Sequence, residues 1–519
     1  MDQPLLQQQP QDPVEQPQLD AAMTTTNTSS SEKLLLNKDT TLTDNGHNYS
    51  SFPNNNTDNH TIQHATQVAE EHKTTATEAV IHVLKGNIGP GCLSLPWAFS
   101  QLGLWWGIVS CIILCYWCTY CSWMTVVIKR HYPESIHTYP DVGTWAYGPA
   151  FGRFVRLCVS LQQTAICTVY ISFAGANLLA AWNGLNHLSP TVQHVIAMTM
   201  ALPLVMALSS LASLRTMAPF SALGGLTLAT GIALIGIIVV QDWSSRPMPP
   251  PSFAWHNAPQ AVSAVLFSYE GISLVMPIET SMAKPQQFRD VFWGSKVVVC
   301  STFILVAGTC ILAFGHVANG SITAFLLSNY SGHGTRYYLL TAANTVTGLS
   351  VLLTYPLQMF PALQLVGPYF AKNDNGNEEE EEDVEDVALV GMDNEDTNGQ
   401  NGTTSDDSGT SSPQEQQQGT GIPGDTPWLR LGYVLTTYLV AVLVPNVQLL
   451  ISLVGALAGS STALLIPPLV EYEFRRRHHG SLLSKSRCLL VFGLGVCFMV
   501  VGTTTTVISI VQAYTTTSS

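Results

Sequence analysis

Charged residues are scarce in this chain. Asp, Glu, Lys and Arg make up 11% of its 519 residues, while 46% are hydrophobic. An ordinary soluble domain is about 25% charged, so a water-soluble globular protein is excluded. Basic residues are scarcer still, 21 against 35 acids, for a net charge of −14. One stretch accounts for nearly all of that imbalance: Lys372 to Thr426 holds 16 acids and one base. The remainder is close to neutral, and without a basic field a nucleic-acid partner is excluded. The N-terminus has neither a basic start nor an early apolar core, so no cleavable leader is expected. Metal-binding spacings, a nucleophile elbow and a phosphate loop are all missing, so the chain is not read as an enzyme and no cofactor is expected. Outer loops lack cysteine, and the eleven cysteines fall almost wholly within apolar stretches, so structural disulfides are not expected. Cys111, Cys115, Cys118 and Cys121 share one helical face. One helix cannot wrap four thiolates tetrahedrally around zinc, and these four are read as small packing residues.

What the chain does have is long apolar runs. About 20 such residues cross a bilayer as a helix. Eleven are found, at about 77–101, 105–128, 154–182, 192–212, 216–240, 259–282, 293–317, 337–370, 428–445, 447–470 and 488–511. The expected organisation is a disordered cytoplasmic tail (1–75), helices one to eight (76–371), an acidic disordered cytoplasmic loop (372–426), helices nine to eleven (427–512) and a short C-terminal tail (513–519). With the N-terminus inside, fifteen Lys and Arg, among them Lys129, Arg130, Lys284, Lys296 and Arg475, fall at inner loops and helix ends. Only Arg246 and Arg336 fall outside, and this bias sets the orientation. Two sequons, at Asn319 and Asn329, then share one outer loop, as glycosylation requires.

Two of the runs are interrupted. The first carries Gly86, Asn87, Gly89, Pro90 and Gly91 near its middle, although Gly and Pro both penalise a helix interior. The sixth carries Glu270-Gly271, with Pro277 and Glu279 further on. Unpaired backbone is tolerated at membrane depth only where it lines a cavity. Interrupted segments at corresponding positions of two inverted halves point to a secondary transporter's binding site, and the first and sixth helices run in opposite directions. Pro90 suits the first position of an outer half-helix. The amides of Gly91, Cys92 and Leu93 would then face the break and attract an anion such as a carboxylate. The unwound carbonyls near Asn87 and Ser268 suit an ammonium. An amino acid has both poles.

The stretches IHVLKGNIGPGCLSLPWAF (81–99) and FSYEGISLVMPIETSMAKPQQF (267–288) resemble the first and sixth helices of the amino acid/auxin permease family, and within it the proton-coupled amino acid transporter subfamily. YPDVGTWAYG (139–148), TYPLQMFPA (354–362) and LVGALAGSSTALLIPPLVE (453–471) are similar to that subfamily's cytoplasmic linker, eighth helix and tenth helix. The likeness covers about 76–371 and 427–512. It implies an all-α polytopic fold of the leucine-transporter type: five plus five inverted helices and an eleventh, the first and sixth broken, moving small amino acids with protons. The substrate site it implies comprises Asn87, Ile88, Gly89, Gly91, Cys92, Phe267, Ser268, Glu270, Gly271 and Thr354, with Tyr355 beside Thr354. Two positions depart from the subfamily, Pro90 in place of a threonine and Thr280 in place of an asparagine. The acidic loop is also no part of its pattern.

An ionisable residue inside a membrane asks for a role. Glu270, at the break, reads as a gate or proton site, or as a cap for the second half-helix. Glu279 reads as the partner of Lys284 or another inner cation. Glu78, His82, Lys85 and Gly89 form one polar stripe on the first helix, read as the lining of an inner vestibule. Imidazole titrates near pH 6.5 in water, and the subfamily has its coupling histidine in this same sequence context. His82 is therefore the expected proton-coupling residue, with Glu270 in reserve. The expected function is proton-coupled symport of small neutral amino acids by alternating access. A sodium-coupled transporter, an auxin-like carrier and an amino-acid sensor with little flux stay open. A cytoplasmic partner of the acidic loop is likewise open. The N-terminal DQPLL hints at sorting to a vacuolar or endolysosomal membrane, with the plasma membrane as the alternative.

Overall fold

The computed structural model of the chain describes residues 73–181, 188–211, 214–243, 252–330, 332, 334–374, 426–444 and 446–517. The expected tail up to residue 72 and the acidic loop over 375–425 lie outside the described residues. The described chain is helical: α1 (Ala76–Asn87), α2 (Pro90–His131), α3 (Tyr139–Tyr147), α4 (Pro149–Ala181), α5 (Pro190–Ser209) and α6 (Leu214–Trp243) come first. Then follow α7 (Ala258–Ser268), α8 (Ile272–Ser281), α9 (Phe288–Phe314), α10 (Ile322–Ser328), α11 (Thr335–Asp374) and α12 (Pro427–Leu443). The last are α13 (Val447–Val454), a π-helical stretch (Gly455–Leu465), α14 (Ile466–Arg477) and α15 (Leu482–Thr517). Among the described residues nine helical segments are long and apolar enough to cross a membrane. The chain is a multi-pass helical membrane protein.

Helix starts follow local chemistry. Proline opens α2, α5 and α12, where a missing N–H costs nothing. Thr75 and Glu78 close a capping box on α1, with the Thr75 amide donating to Glu78 Oε2 at 2.7 Å. Glu78, expected in an inner vestibule, is thus a cap. Gly103, at φ +73, bends α2 into two helices, 90–102 and 104–131. Residues 73–75, assigned to the tail by the sequence, pair with the end of α8: the Thr74 amide donates to the Ser281 carbonyl at 2.8 Å, and the Ala283 amide to the Thr74 carbonyl at 3.0 Å. At the other end, α15 continues to Thr517, into the stretch expected as a tail.

The broken helix α7 lies at the centre, packed against α2, α13 and the π-helical stretch. Ser263, Val265 and Leu266 on it are fully buried, and a Cβ on Gly455 would meet the Ser263 carbonyl oxygen at 2.0 Å. The most extensive packing elsewhere is that of α11 on α4 and α6, and of α9 on α2. Cys111, Cys115, Cys118 and Cys121 are buried, and two of them meet α9 directly: Cys115 Sγ donates to the Lys296 carbonyl at 3.4 Å, and the Cys111 carbonyl accepts from Cys300 Sγ at 3.9 Å. Large apolar side chains point outward, Val240 at 73% and Leu305 at 65% exposure. That is the inside-out surface a lipid solvent allows.

Candidate substrate site

Local sequence opens both breaks. At the first, α1 ends on Asn87, whose Nδ2 donates to the Val83 carbonyl at 2.8 Å, and the Ile88 amide closes the last turn on Leu84 at 2.8 Å. Ile88 and Gly89 are extended before Pro90 restarts the helix, since a residue preceding proline disfavours the helical conformation. At the second, α7 stops at Ser268, and Gly271, at φ +152, lets the chain turn into α8. Only glycine adopts that backbone at little cost.

The two breaks touch. A Cβ on Gly91 would lie 2.7 Å from Ser268 Oγ and 2.9 Å from Ser268 Cα, and one on Gly271 would lie 3.7 Å from the Asn87 amide. Between them is a cavity with about 460 Å³ of empty space, counting the part open to solvent. Asn87, Gly89, Gly91, Phe267, Ser268, Glu270 and Gly271 all line it. Glu270 is 9% exposed, with the α8 amides of Gly271 and Ile272 beside its carboxyl and no partner for its Oε1 among the described residues. An unpaired acceptor beside a cavity is a place for a ligand donor.

Four expected residues are placed elsewhere. Thr354 bonds back to the carbonyls of Ser350 and Val351 at 3.0 and 3.1 Å and turns its methyl to Gly224 on α6. Tyr355 reaches Thr437 on α12 at 2.8 Å. Cys92 is fully buried, and its amide is spent on the Gly89 carbonyl at 3.1 Å, so it is not a free donor. Ile88 is half-buried outside the cavity lining. One turn beyond Thr354, Gln358 takes the expected place at the cavity, donating to the Tyr170 hydroxyl at 3.3 Å.

His82, exposed on α1, lines a second, smaller cavity with Asn87, Phe292 and Lys296. Lys296 corrects the sequence reading. It is not a loop or end cation but lies eight residues into α9, 3% exposed. Its Nζ donates to Asn87 Oδ1 at 2.6 Å and stands 5.6 Å from the Phe292 ring centre. A cation more than two turns inside an apolar helix was the available signal. Of the expected partners for Glu279, Lys284 or another inner cation, the structure shows the second kind: Lys129 Nζ at 3.1 Å and Arg130 Nε at 2.8 Å, both at the end of α2. Thr280 joins that ion cluster, accepting from Lys129, so this departure from the subfamily is remote from the cavity. Of the sequons, Asn329 is exposed at the end of α10, whereas Ser321 of the Asn319 sequon is fully buried.

Two interrupted helices thus face each other around a polar cavity within a multi-pass bundle. Over residues 72–508 the chain matches the model of the transmembrane amino acid transporter protein family, and it belongs to that family. It is similar to vacuolar amino acid transporter 3 of Saccharomyces cerevisiae, 27% identical over 59% of this chain and 44% of that protein. It is also similar to the Drosophila melanogaster proton-coupled amino acid transporter-like protein pathetic, 26% identical over 57% of this chain and 64% of that one. Against the probable amino acid transporter skat-1 of Caenorhabditis elegans the match is 23% over 85% and 91%. The chain thus spans less than two thirds of the first two relatives and nearly all of the third.

Proposed function

We propose that the chain moves small neutral amino acids together with protons by alternating access, on five plus five inverted helices and an eleventh, with its N-terminus in the cytoplasm. The supporting observation is the cavity at the two touching breaks, whose wall includes Glu270 with a buried carboxyl oxygen that has no partner among the described residues. A substrate ammonium meets Glu270 and the unwound carbonyls, and the carboxylate meets the start of α2 at Gly91. His82, in the smaller cavity that shares Asn87 with the substrate cavity, carries the coupled proton. The ion cluster at Glu279 and the Thr74 pairing with α8 fasten the inner ends of the half-helices. Opening to the cytoplasm breaks the first of these. The membrane is vacuolar, endolysosomal or plasma, and the relative named vacuolar favours the first.

Radiolabelled glycine, alanine and proline flux in proteoliposomes, with proton and sodium gradients imposed separately, tests this reading. Uptake should follow the proton gradient and ignore sodium. Uptake that follows sodium alone would replace the coupling ion, and binding without flux would favour a sensor.

A further inference from the structure

We propose that the cavity selects amino acids whose side chain donates a hydrogen bond, and that Gln163 on α4 is the residue that reads it. The inference rests on the transport reading above and adds the class of side chain.

Gln163 is 2% exposed and lines the same cavity as Glu270. Its Nε2 donates to Ser273 Oγ on α8 at 2.8 Å, which holds the side chain in place. Its Oε1 has no partner among the described residues. A buried carbonyl oxygen without a donor is costly to leave unmet, and Gln163 belongs to the cavity wall, so a turn of its amide brings that oxygen to a ligand donor. The wall around it is polar as well. Tyr170 and Gln358 are linked at 3.3 Å, and a Cβ on Gly89 would lie 3.5 Å from the Tyr170 hydroxyl. A cavity built for a methyl or isopropyl group would present carbon to it. Here Gln163, Tyr170, Ser273 and Gln358 stand among the apolar lining of Ile166 and Phe267.

Glu270 and Gln163 come from different elements, one at the break and one on the flanking helix. The α-ammonium satisfies the acceptor at the break, where the carboxylate pole also lies. The acceptor on the flank is left for the side chain. Serine, asparagine and glutamine supply that donor, and alanine or an alkyl isostere does not. A site built to hydrogen-bond a substrate group rejects an analogue lacking it far more strongly than an apolar pocket rejects an added hydroxyl.

The test uses the full chain in proteoliposomes and competition against radiolabelled serine uptake. Serine is compared with 2-aminobutyrate, and asparagine with leucine, each pair matched in shape. In the wild type the polar member should compete at a concentration at least about tenfold lower. Gln163→Leu and Gln163→Met should bring that ratio to within about twofold, whatever the absolute flux. Gln163→Glu, which keeps an acceptor, should preserve it. A wild type that does not discriminate overturns the proposal even if no variant inserts properly. So does a ratio that survives both apolar variants, which would place Gln163 on the common ammonium. If no amino acid binds or moves under any gradient, the transport reading fails. Flux without discrimination removes only this inference.

Discussion

Gly91→Ala should disable transport through a single methyl group. An added Cβ would stand 2.7 Å from Ser268 Oγ, 2.9 Å from Ser268 Cα and 3.0 Å from Ser268 Cβ. The hydroxyl can rotate away, but the Cα is backbone at the other helix break, so the two unwound segments must separate. Overpacking of this kind costs about 1–3 kcal/mol, which corresponds to about 5- to 150-fold in an equilibrium or a rate. Gly432, on α12, has open space where its Cβ would be. Gly432→Ala should be neutral or slightly stabilising, since alanine favours a helix interior over glycine by roughly 0.5–1 kcal/mol. The assay is alanine exchange per correctly inserted protein, together with thermal unfolding in detergent for both variants. Adding Ser268→Ala removes the hydroxyl oxygen but leaves the backbone of residue 268 in the way. It should therefore restore only part of the loss, a non-additivity expected of touching residues. Wild-type exchange and stability in Gly91→Ala would refute direct contact between the breaks.

Four further outcomes are expected. His82→Ala should abolish uptake driven by a pH gradient while exchange at symmetrical pH partly survives; unchanged pH-driven uptake would move the coupling role to Glu270. Replacing 375–425 by a short flexible linker should leave flux within about twofold, because a segment rich in acids, Gly and polar residues has no apolar face to pack; loss of flux in properly inserted protein would assign the loop a regulatory part. Glu279→Ala leaves Lys129 and Arg130, 12% and 35% exposed, side by side without their acid, and because Arg130 keeps the Pro285 carbonyl and Lys129 keeps Thr280 stability should fall by about 1–3 kcal/mol; an unchanged melting point in detergent would mean the cluster is solvated. Asn329→Gln should remove a glycan shift on a gel and Asn319→Gln should not, because the Asn319 sequon packs its serine inside; the opposite pattern would show that glycosylation precedes this packing.

Much of the architecture was legible in single stretches of chain. Apolar runs mark helices because lipid leaves the backbone no other partner, and Gly-Pro-Gly at 89–91 and Glu270-Gly271 mark the breaks because their effect on φ and ψ is local. The capping box at Thr75 and Glu78 was also written there, as Thr-x-x-Glu ahead of an apolar run, and the polar stripe on the same helix obscured it. Helix rotation and pairing decided the rest. Thr354 and Gln358 are one turn apart on α11, and only the packing of α11 against α4 and α6 determines that Gln358 lines the cavity while Thr354 turns its methyl to Gly224. Lys296 reads as an end cation by sequence, yet the approach of α9 to α1 buries it on Asn87. Glu279 had Lys284 five residues away, and the tertiary structure supplied Lys129 and Arg130 from the end of α2 instead. The division has a physical cause. Backbone conformation responds to the residues next to it, whereas a side chain's partner depends on which faces of distant helices meet, and no single segment of sequence contains that second surface.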